Sequence, residues 1–136
     1  MNTSFLRILK FGVKGGVMAA VINLVIFEIA LRGFGLDFSV MMGGVPSNVA
    51  EVQVIFSSLM PSFIASVLYF ILVKKTQNPD KIFRVMATAF LVASFYGPFV
   101  WASVLADKLV LGLMHVVAAF EITKSLTRDS KKSLLA

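Results

Sequence analysis

Several common cofactor ligands are absent from this sequence. The 136 residues include no cysteine and a single histidine, His115. The chain therefore has no disulfide, no Cys-x-x-Cys redox motif and no thiolate ligand for a metal. One histidine cannot supply the three or four ligands of an ordinary zinc site, and two axial haem ligands would require a second copy of the chain. A phosphate-binding loop requires a lysine after its glycines. No lysine follows Gly43-Gly44. We therefore expect no metal and no cofactor.

Charged residues are also scarce. They make up 15% of the chain, whereas ordinary soluble domains contain about 25%. Hydrophobic residues make up 58%, and the mean hydropathy is +0.89. A soluble fold of this size still exposes roughly 30% of its unfolded surface, which so few charges cannot cover. In a lipid bilayer apolar side chains can face outward, so the composition predicts an integral membrane protein with lipid as its main partner.

Four apolar segments are long enough to cross a bilayer. Two segments, Val52–Val73 and Val85–Ala106, each contain 22 residues without a formal charge. At 1.5 Å per residue each can cross about 30 Å of hydrocarbon. Glu28 and Glu121 interrupt the first and fourth segments. We expect one domain, residues 1–136, with spans at about 11–31, 52–73, 83–105 and 109–126 and a polar tail at 127–136.

The basic residues lie on one side of these four spans. Of the 13 Lys and Arg residues, only Arg32 and Lys108 fall on the other side. Lys and Arg concentrate in cytoplasmic segments, so both termini are predicted to be cytoplasmic. The fold class is then an all-α bundle of four antiparallel transmembrane helices, predicted to lie in the bacterial cytoplasmic membrane. The basic residues flank spans, which favours contact with anionic lipid headgroups and does not indicate nucleic-acid binding.

Small residues recur at helical spacing within the spans. Helices in lipid associate where small residues allow close approach. We interpret these stripes as the packing faces of a left-handed bundle. An alternative is that the stripe in the first span is the seam of a homodimer or of a larger membrane complex. The stripes include Gly12, Gly16 and Ala20 in the first span, and Ala89, Ala93 and Gly97 in the third.

Two prolines, Pro61 and Pro98, lie inside spans. Proline has no backbone N–H, so each frees the carbonyl four residues earlier, that of Ser57 or that of Ser94. We interpret both prolines as kinks, because proline is frequent in membrane helices. The alternative is a hinge, or a carbonyl that serves as a ligand.

Five polar side chains are predicted to lie near the middle of the membrane. Unpaired polar groups at that depth are costly, so we expect them to face the interior in one hydrogen-bonded layer. Its members are Asn23, Ser62, Ser94, Tyr96 and His115.

Two of these five, together with two glutamates further out, have competing interpretations. Asn23 is most simply a hydrogen-bonding link between helices. We interpret His115 as a neutral imidazole bonded to Tyr96, Asn23 or a freed carbonyl, and the alternative is a proton acceptor or ligand contact. Further out, Glu28 and Glu51 are a candidate acidic site. Glu28 is interpreted as a water-facing residue at a helix end, the alternative being a proton carrier.

Three segments resemble a family of small four-helix bacterial membrane proteins known only as a domain of unknown function. They are AAVINLVIFEIA with Asn23, FSSLMPSFIASVL with Pro61, and LVLGLMHVVAAF with His115. The similarity extends over roughly residues 10–125. It implies four helices, and it implies no activity.

Three functional hypotheses are compatible with the sequence. No catalytic arrangement is readable, because Ser62, His115 and Glu28 belong to different predicted helices. The leading hypothesis is therefore a non-enzymatic accessory or interaction protein of the membrane. The second is a transporter of a small solute or of protons that uses Asn23, Tyr96, His115 and Glu28. The third is a His115-dependent membrane enzyme or cofactor carrier.

Overall fold

Four long helices and one short β-hairpin form the part of the protein that the structure describes. The structure, a computed structural model, describes residues 4–129, without the side chains of Met42 and Asp129. The first helix, Phe5–Glu28, continues through a wider π-helical turn at Ile29–Gly33, and strands β1 (Ser39–Met42) and β2 (Val45–Asn48) follow. The remaining helices are Glu51–Lys75, Pro79–Ser94 with Tyr96–Trp101, and Leu105–Lys124 with a π-helical turn at Ser125–Asp129.

These helices form four segments that are long and apolar enough to cross a membrane. We refer to them as the first to fourth spans: Phe5–Gly33, Glu51–Lys75, Pro79–Trp101 and Leu105–Arg128. The predicted fold class, with four membrane-length helices, is confirmed, whereas the cytoplasmic location of both termini stays a prediction. We call the end that holds Phe5 and Arg128 the terminal end, and the opposite end the hairpin end.

The helices begin earlier than the predicted spans, the first at Phe5 and not near residue 11, and the fourth at Leu105 and not near residue 109. The third span ends at Trp101 and not near residue 105, because Ala102 adopts an extended conformation and pairs with Val40 of β1. The fourth span continues into the predicted polar tail. Thr127, the first residue of that tail, is buried, and its hydroxyl donates to the carbonyl of Thr123. Residues 130–136 of the predicted tail lie outside the described residues.

The hairpin follows from local turn chemistry that an all-helical interpretation overlooks. Gly43 and Gly44 both have positive φ, 59° and 83°. Positive φ at both central residues is the signature of a two-residue type I′ turn, which matches the twist of paired strands. The register pairs Met42 with Val45 directly across this turn. Two glycines thus convert the middle of the longest loop into a small hairpin.

The first and second spans pack through small residues. Gly12 lies against Ser66 so closely that a Cβ at position 12 would overlap the serine hydroxyl. A Cβ at Gly16 would lie 2.5 Å from the hydroxyl oxygen of Ser62. Ala20 is buried in line with them. The small stripe of the first span therefore faces the second span.

The third span is attached more loosely than the others. Its most apolar stretch of 18 residues is 11% buried, compared with 39% for the corresponding stretches of the first and fourth spans. Ala89 and Ala93 are exposed. A Cβ at Gly97 would meet, among the described residues, only the ring of Trp101 on the same span. In the described chain the predicted stripe Ala89, Ala93 and Gly97 therefore does not pack closely against another helix.

Two apolar clusters explain how the third span is held. At the terminal end, Ile8, Tyr69, Phe83, Ile122 and Leu126 join all four spans. The Tyr69 hydroxyl also donates to the Asp80 carboxylate at 2.6 Å, across the connection between the second and third spans.

At the hairpin end, the second cluster contains Phe27, Ala30, Phe38, Val54 and Met114, with no described residue from the third span. Phe38 lies in the loop before β1, and its ring stacks on that of Phe27 with centroids 4.6 Å apart. The third span is therefore packed against the second at one end only, and a space remains at the other end.

Candidate functional site

The space between the second and third spans at the hairpin end is a cavity of about 560 Å³. This volume lies within the range of about 300–1,000 Å³ that is typical of small-molecule sites. The hairpin side contributes Val40 and Val49 to its wall. Ser57, Ala93 and Tyr96 line it and are also exposed, so the cavity opens sideways between the two spans. Among the described residues, no formally charged side chain lines it.

Asn23 lies at the base of the cavity, where three spans meet. It is 3% exposed. Its Nδ2 donates to the Ser58 hydroxyl at 3.0 Å and to the Met114 carbonyl at 3.1 Å. A carbonyl can only accept, so the nitrogen must face Met114 and the orientation of the amide is fixed. One side chain therefore links the first span to the second and the fourth.

The other atom of this amide is unsatisfied. Asn23 Oδ1 is buried and has no hydrogen-bond partner among the described residues. Leaving a buried acceptor unpaired costs about 1–3 kcal/mol. The base of the cavity therefore holds a buried oxygen that a donor from another molecule would satisfy.

His115 lines the same cavity, one residue after Met114. Its Nδ1 lies 2.7 Å from the carbonyl of Leu111, one turn earlier on the same helix. Because this carbonyl is an acceptor, Nδ1 carries the proton, and the lone pair of a neutral ring lies on Nε2. His115 is thus bonded to its own helix and not to Tyr96 or Asn23.

The hydroxyl groups of two serines on opposite walls already donate hydrogen bonds within their own helices. Ser57 donates to the Val54 carbonyl at 3.1 Å, and Ser94 donates to the Leu91 carbonyl at 2.7 Å. Their oxygens retain lone pairs, and their own carbonyls precede Pro61 and Pro98 by four residues and lack the usual helical donor. The cavity walls are thus rich in hydrogen-bond acceptors.

The two prolines affect their helices differently. The helix around Pro61 continues without interruption from Glu51 to Lys75. The helix of the third span breaks at Phe95, three residues before Pro98, and resumes at Tyr96. This break lies at the level of the cavity, where Ser94, Tyr96 and Pro98 form its wall.

Four members of the predicted polar layer line this one cavity: Asn23, Ser94, Tyr96 and His115. They lie roughly 2–9 Å from the middle of their spans, towards the hairpin end, given a rise of 1.5 Å per residue. Ser62 is separate. It is buried against Gly16 and donates to the carbonyl of Leu59, because the close approach of the first two spans occupies that face.

The two glutamates of the predicted outer site are not joined by a hydrogen bond or an ion pair in the described structure. Glu28 is paired with Arg32, one turn later on the same helix. Glu51 is exposed in the first turn of the second span, where a negative charge interacts favourably with the helix dipole. The sequence positions of Glu28 and Glu51 indicated a similar depth in the membrane. They could not show that, among the described residues, each glutamate interacts only with its own helix.

Asp107 is a polar site that the sequence did not predict. It is 2% exposed in the first turn of the fourth span, where its carboxylate lies near enough to the backbone N–H groups of Phe38 and Ser39 to interact with them. The N–H of Ser103 in turn donates to the carbonyl of Ser39 at 3.3 Å. An aspartate in a first helical turn often bonds to backbone N–H groups, and this signal was available in the sequence. It does not indicate that a distant loop supplies them.

Asp107 fixes the loop that leads into the hairpin, above the cavity. Its Oδ1 is buried without a hydrogen-bond partner among the described residues. No group of three or more His, Asp or Glu side chains able to hold a metal occurs in the part of the chain that the structure describes. The site is thus a neutral, acceptor-rich cavity below a fixed loop, within a protein of four membrane-length helices.

Comparison with known protein families places the chain within one of them. Residues 4–132 match the model of a family of unknown function, DUF6069, and the chain belongs to this family. The predicted resemblance to a family of unknown function is therefore confirmed, whereas the bacterial membrane origin of its members stays a prediction. No curated protein and no solved structure shows significant similarity to the chain.

Proposed function

We propose that this chain is a non-enzymatic multi-pass protein of the bacterial cytoplasmic membrane that binds a small molecule in the cavity. The observation that carries the proposal is the unpaired, buried Asn23 Oδ1 at the cavity base. A leucine at this position would avoid the cost of the unpaired acceptor. A ligand that donates a hydrogen bond explains why a cavity and an unsatisfied acceptor occur together.

Binding accounts for the hydrogen bonds of the site better than catalysis does. A general base must lie within hydrogen-bond reach of the proton that it removes. The Nδ1 of His115 is bonded to Leu111, and Ser57 and Ser94 donate to carbonyls of their own helices. Within residues 4–129, no hydrogen bond connects the histidine with a hydroxyl group. This arrangement supports a binding protein over a His115-dependent enzyme.

Transport by the same cavity would need a further conformational change. The terminal-end cluster of Ile8, Tyr69, Phe83, Ile122 and Leu126 is buried and joins all four spans below the cavity. A solute or proton would have to pass this apolar layer. The geometry thus supports a site that is open at one level of the membrane more than a continuous path across it.

The proposal can be tested with two matched alanines on the third span. Ala93 lines the cavity, whereas Ala89, one turn away, does not, and both are exposed. Native mass spectrometry of the protein released from nanodiscs should show one retained small molecule on the wild type and on Ala89→Phe. Ala93→Phe should lose it, because the ring fills the cavity. Equal retention by both variants, or no retention by the wild type, would contradict the proposal.

A second proposal is the accessory or interaction role, and the exposure of the third span favours it. The stripe Gly12-Gly16-Ala20 is covered by the second span, so a partner helix would use the face that carries Ala89. The natural absence of cysteine permits a direct test. Ala89→Cys should form disulfide-linked or cross-linked complexes in membranes, and Val67→Cys, exposed on the second span, should not. Equal cross-linking at the two positions would refute this role for the third span.

A further inference from the structure

The chemistry of the cavity restricts what can bind there. The cavity is lined by buried Asn23 and by half-buried His115 and Ser94, whose polar atoms without a proton to donate are Asn23 Oδ1, the Nε2 of a neutral His115 and the hydroxyl oxygen of Ser94, which donates to the Leu91 carbonyl. All three are acceptors. The lining side chains that still carry donors are Gln53, Tyr96 and Trp101, and each of them is exposed. These three acceptors are thus less exposed than the side-chain donors.

An anionic group does not fit this arrangement. A phosphate or carboxylate placed beside Asn23 Oδ1 would bring acceptors together, with no lysine or arginine lining the described cavity. A cationic amine has the opposite difficulty. It would supply donors, but no carboxylate lines the cavity to balance its charge, and an isolated charge at this depth costs several kcal/mol. The polar group that fits is a neutral donor.

The remaining walls are apolar and open towards lipid. Val54, Leu111 and Ala118 line the cavity together with the polar atoms. The opening between Ser57 and Ala93 faces sideways from the bundle, so an apolar tail can extend into the surrounding hydrocarbon. A molecule with a small donor head and a hydrocarbon tail satisfies both parts of the site.

We infer that the ligand is an uncharged amphiphile that donates a hydroxyl proton to Asn23 Oδ1, as a long-chain alcohol does. The inference rests on the proposed binding function and adds the chemical class of the ligand. The bilayer itself supplies such molecules by lateral diffusion, and they enter between the second and third spans.

Three photoreactive probes of equal chain length test this class. They are hexadecanol, its methyl ether and hexadecylammonium, each carrying a diazirine on the chain, added to the full-length protein in nanodiscs. Labelling is quantified by mass spectrometry, and unlabelled hexadecanol serves as competitor. The alcohol should label the protein saturably and about five- to tenfold more strongly than the ether, because the ether cannot donate.

Variants in the same assay identify the acceptor, and because Asn23 also links three spans, the readout is the ratio of alcohol to ether labelling. An alcohol has one proton to donate, so Asn23→Leu should lower this ratio to about one, whereas His115→Phe and Ser94→Ala should leave it unchanged. Thr88→Ala is the control, because the Thr88 hydroxyl bonds to the Arg84 carbonyl on the same span and does not line the cavity. It should label as the wild type does. An unchanged ratio in Asn23→Leu, or a ratio that falls to one in His115→Phe or Ser94→Ala, overturns the inference.

The outcomes separate the ligand class from the binding function. If the ether or the ammonium probe labels as strongly as the alcohol, and Ala93→Phe abolishes that labelling, the cavity binds a ligand but the hydroxyl assignment is wrong. If no probe labels saturably, or if Ala93→Phe labels like the wild type, both proposals fail. Alcohol-selective labelling that Ala93→Phe abolishes supports both.

Discussion

Asn23 concentrates the polar interactions of the bundle in one residue. Its amide nitrogen reaches the second and fourth spans, and its oxygen is buried without a partner among the described residues. The sequence suggested a hydrogen-bonding link between helices, because a buried amide in lipid requires partners. It could not identify Ser58 and Met114 as those partners, since they lie 35 and 91 residues away along the chain.

The link between Asn23 and Ser58 should be measurable as a coupling energy. A double-mutant cycle with Asn23→Ala and Ser58→Ala should give about 0.6–2 kcal/mol, the range for interhelical hydrogen bonds in membranes. Reversible unfolding in mixed micelles measures it. Asn23→Ala paired with Ser57→Ala is the control, because the Ser57 hydroxyl bonds to Val54 and not to Asn23. Equal coupling in both cycles would show that the 3.0 Å contact carries no specific energy.

At the scale of elements, the close packing of the first two spans depends on glycine. The stripe of small residues was readable from the sequence because lipid-embedded helices need such faces. Its partner on the second span, Ser58, Ser62 and Ser66, has the same four-residue spacing. The exposed alanines of the third span show the limit of this pattern, because spacing alone does not say whether a neighbour is present.

A side chain at Gly16 should separate these two spans. Its Cβ would lie 2.5 Å from the Ser62 hydroxyl oxygen and 2.7 Å from Ser62 Cβ. Gly16→Val should therefore lower the free energy of unfolding by about 1–3 kcal/mol, the usual cost of overpacking. Gly33→Ala is the matched control, because the nearest atom to a new Cβ there lies 3.8 Å away. A Gly16→Val protein as stable as Gly33→Ala would argue against this interface.

Asp107 should hold the segment that leads into the hairpin. Removing the carboxylate leaves the N–H groups of Phe38 and Ser39 without that acceptor. Asp107→Ala should therefore speed amide hydrogen exchange across residues 38–48 by at least about fivefold, the equivalent of one hydrogen bond. Asp107→Asn should have a smaller effect, since its amide oxygen still accepts. Asp37→Asn, at an exposed neighbouring position, should leave exchange unchanged; unaltered exchange in Asp107→Ala would remove this role.

At the scale of the whole molecule, four membrane-length helices were predictable from composition, because water cannot solvate a chain with so few charges. The off-centre cavity was not predictable. It arises because the third span joins the apolar cluster at the terminal end and misses the one at the hairpin end. That difference depends on tertiary packing of individual side chains, such as Phe83 in one cluster and Phe38 in the other.

The distribution of basic residues predicts the orientation of the molecule. Single cysteines can report it, since the natural chain has none. In intact cells, Ser47→Cys and Ser103→Cys at the hairpin end should react with an impermeant maleimide. Gln77→Cys, in the connection at the terminal end, should react only after the membrane is opened. Labelling of Gln77→Cys in intact cells would invert the proposed topology.

A density map of the protein in lipid nanodiscs would show directly whether a small molecule occupies the cavity. We expect non-protein density between Ser57, Ser94 and His115. One polar atom of this density should lie within about 3.2 Å of Asn23 Oδ1, and an apolar tail should lead out between the second and third spans. A map in which the third span closes against the second, or in which Asn23 Oδ1 bonds to a protein group and no ligand is present, would contradict it.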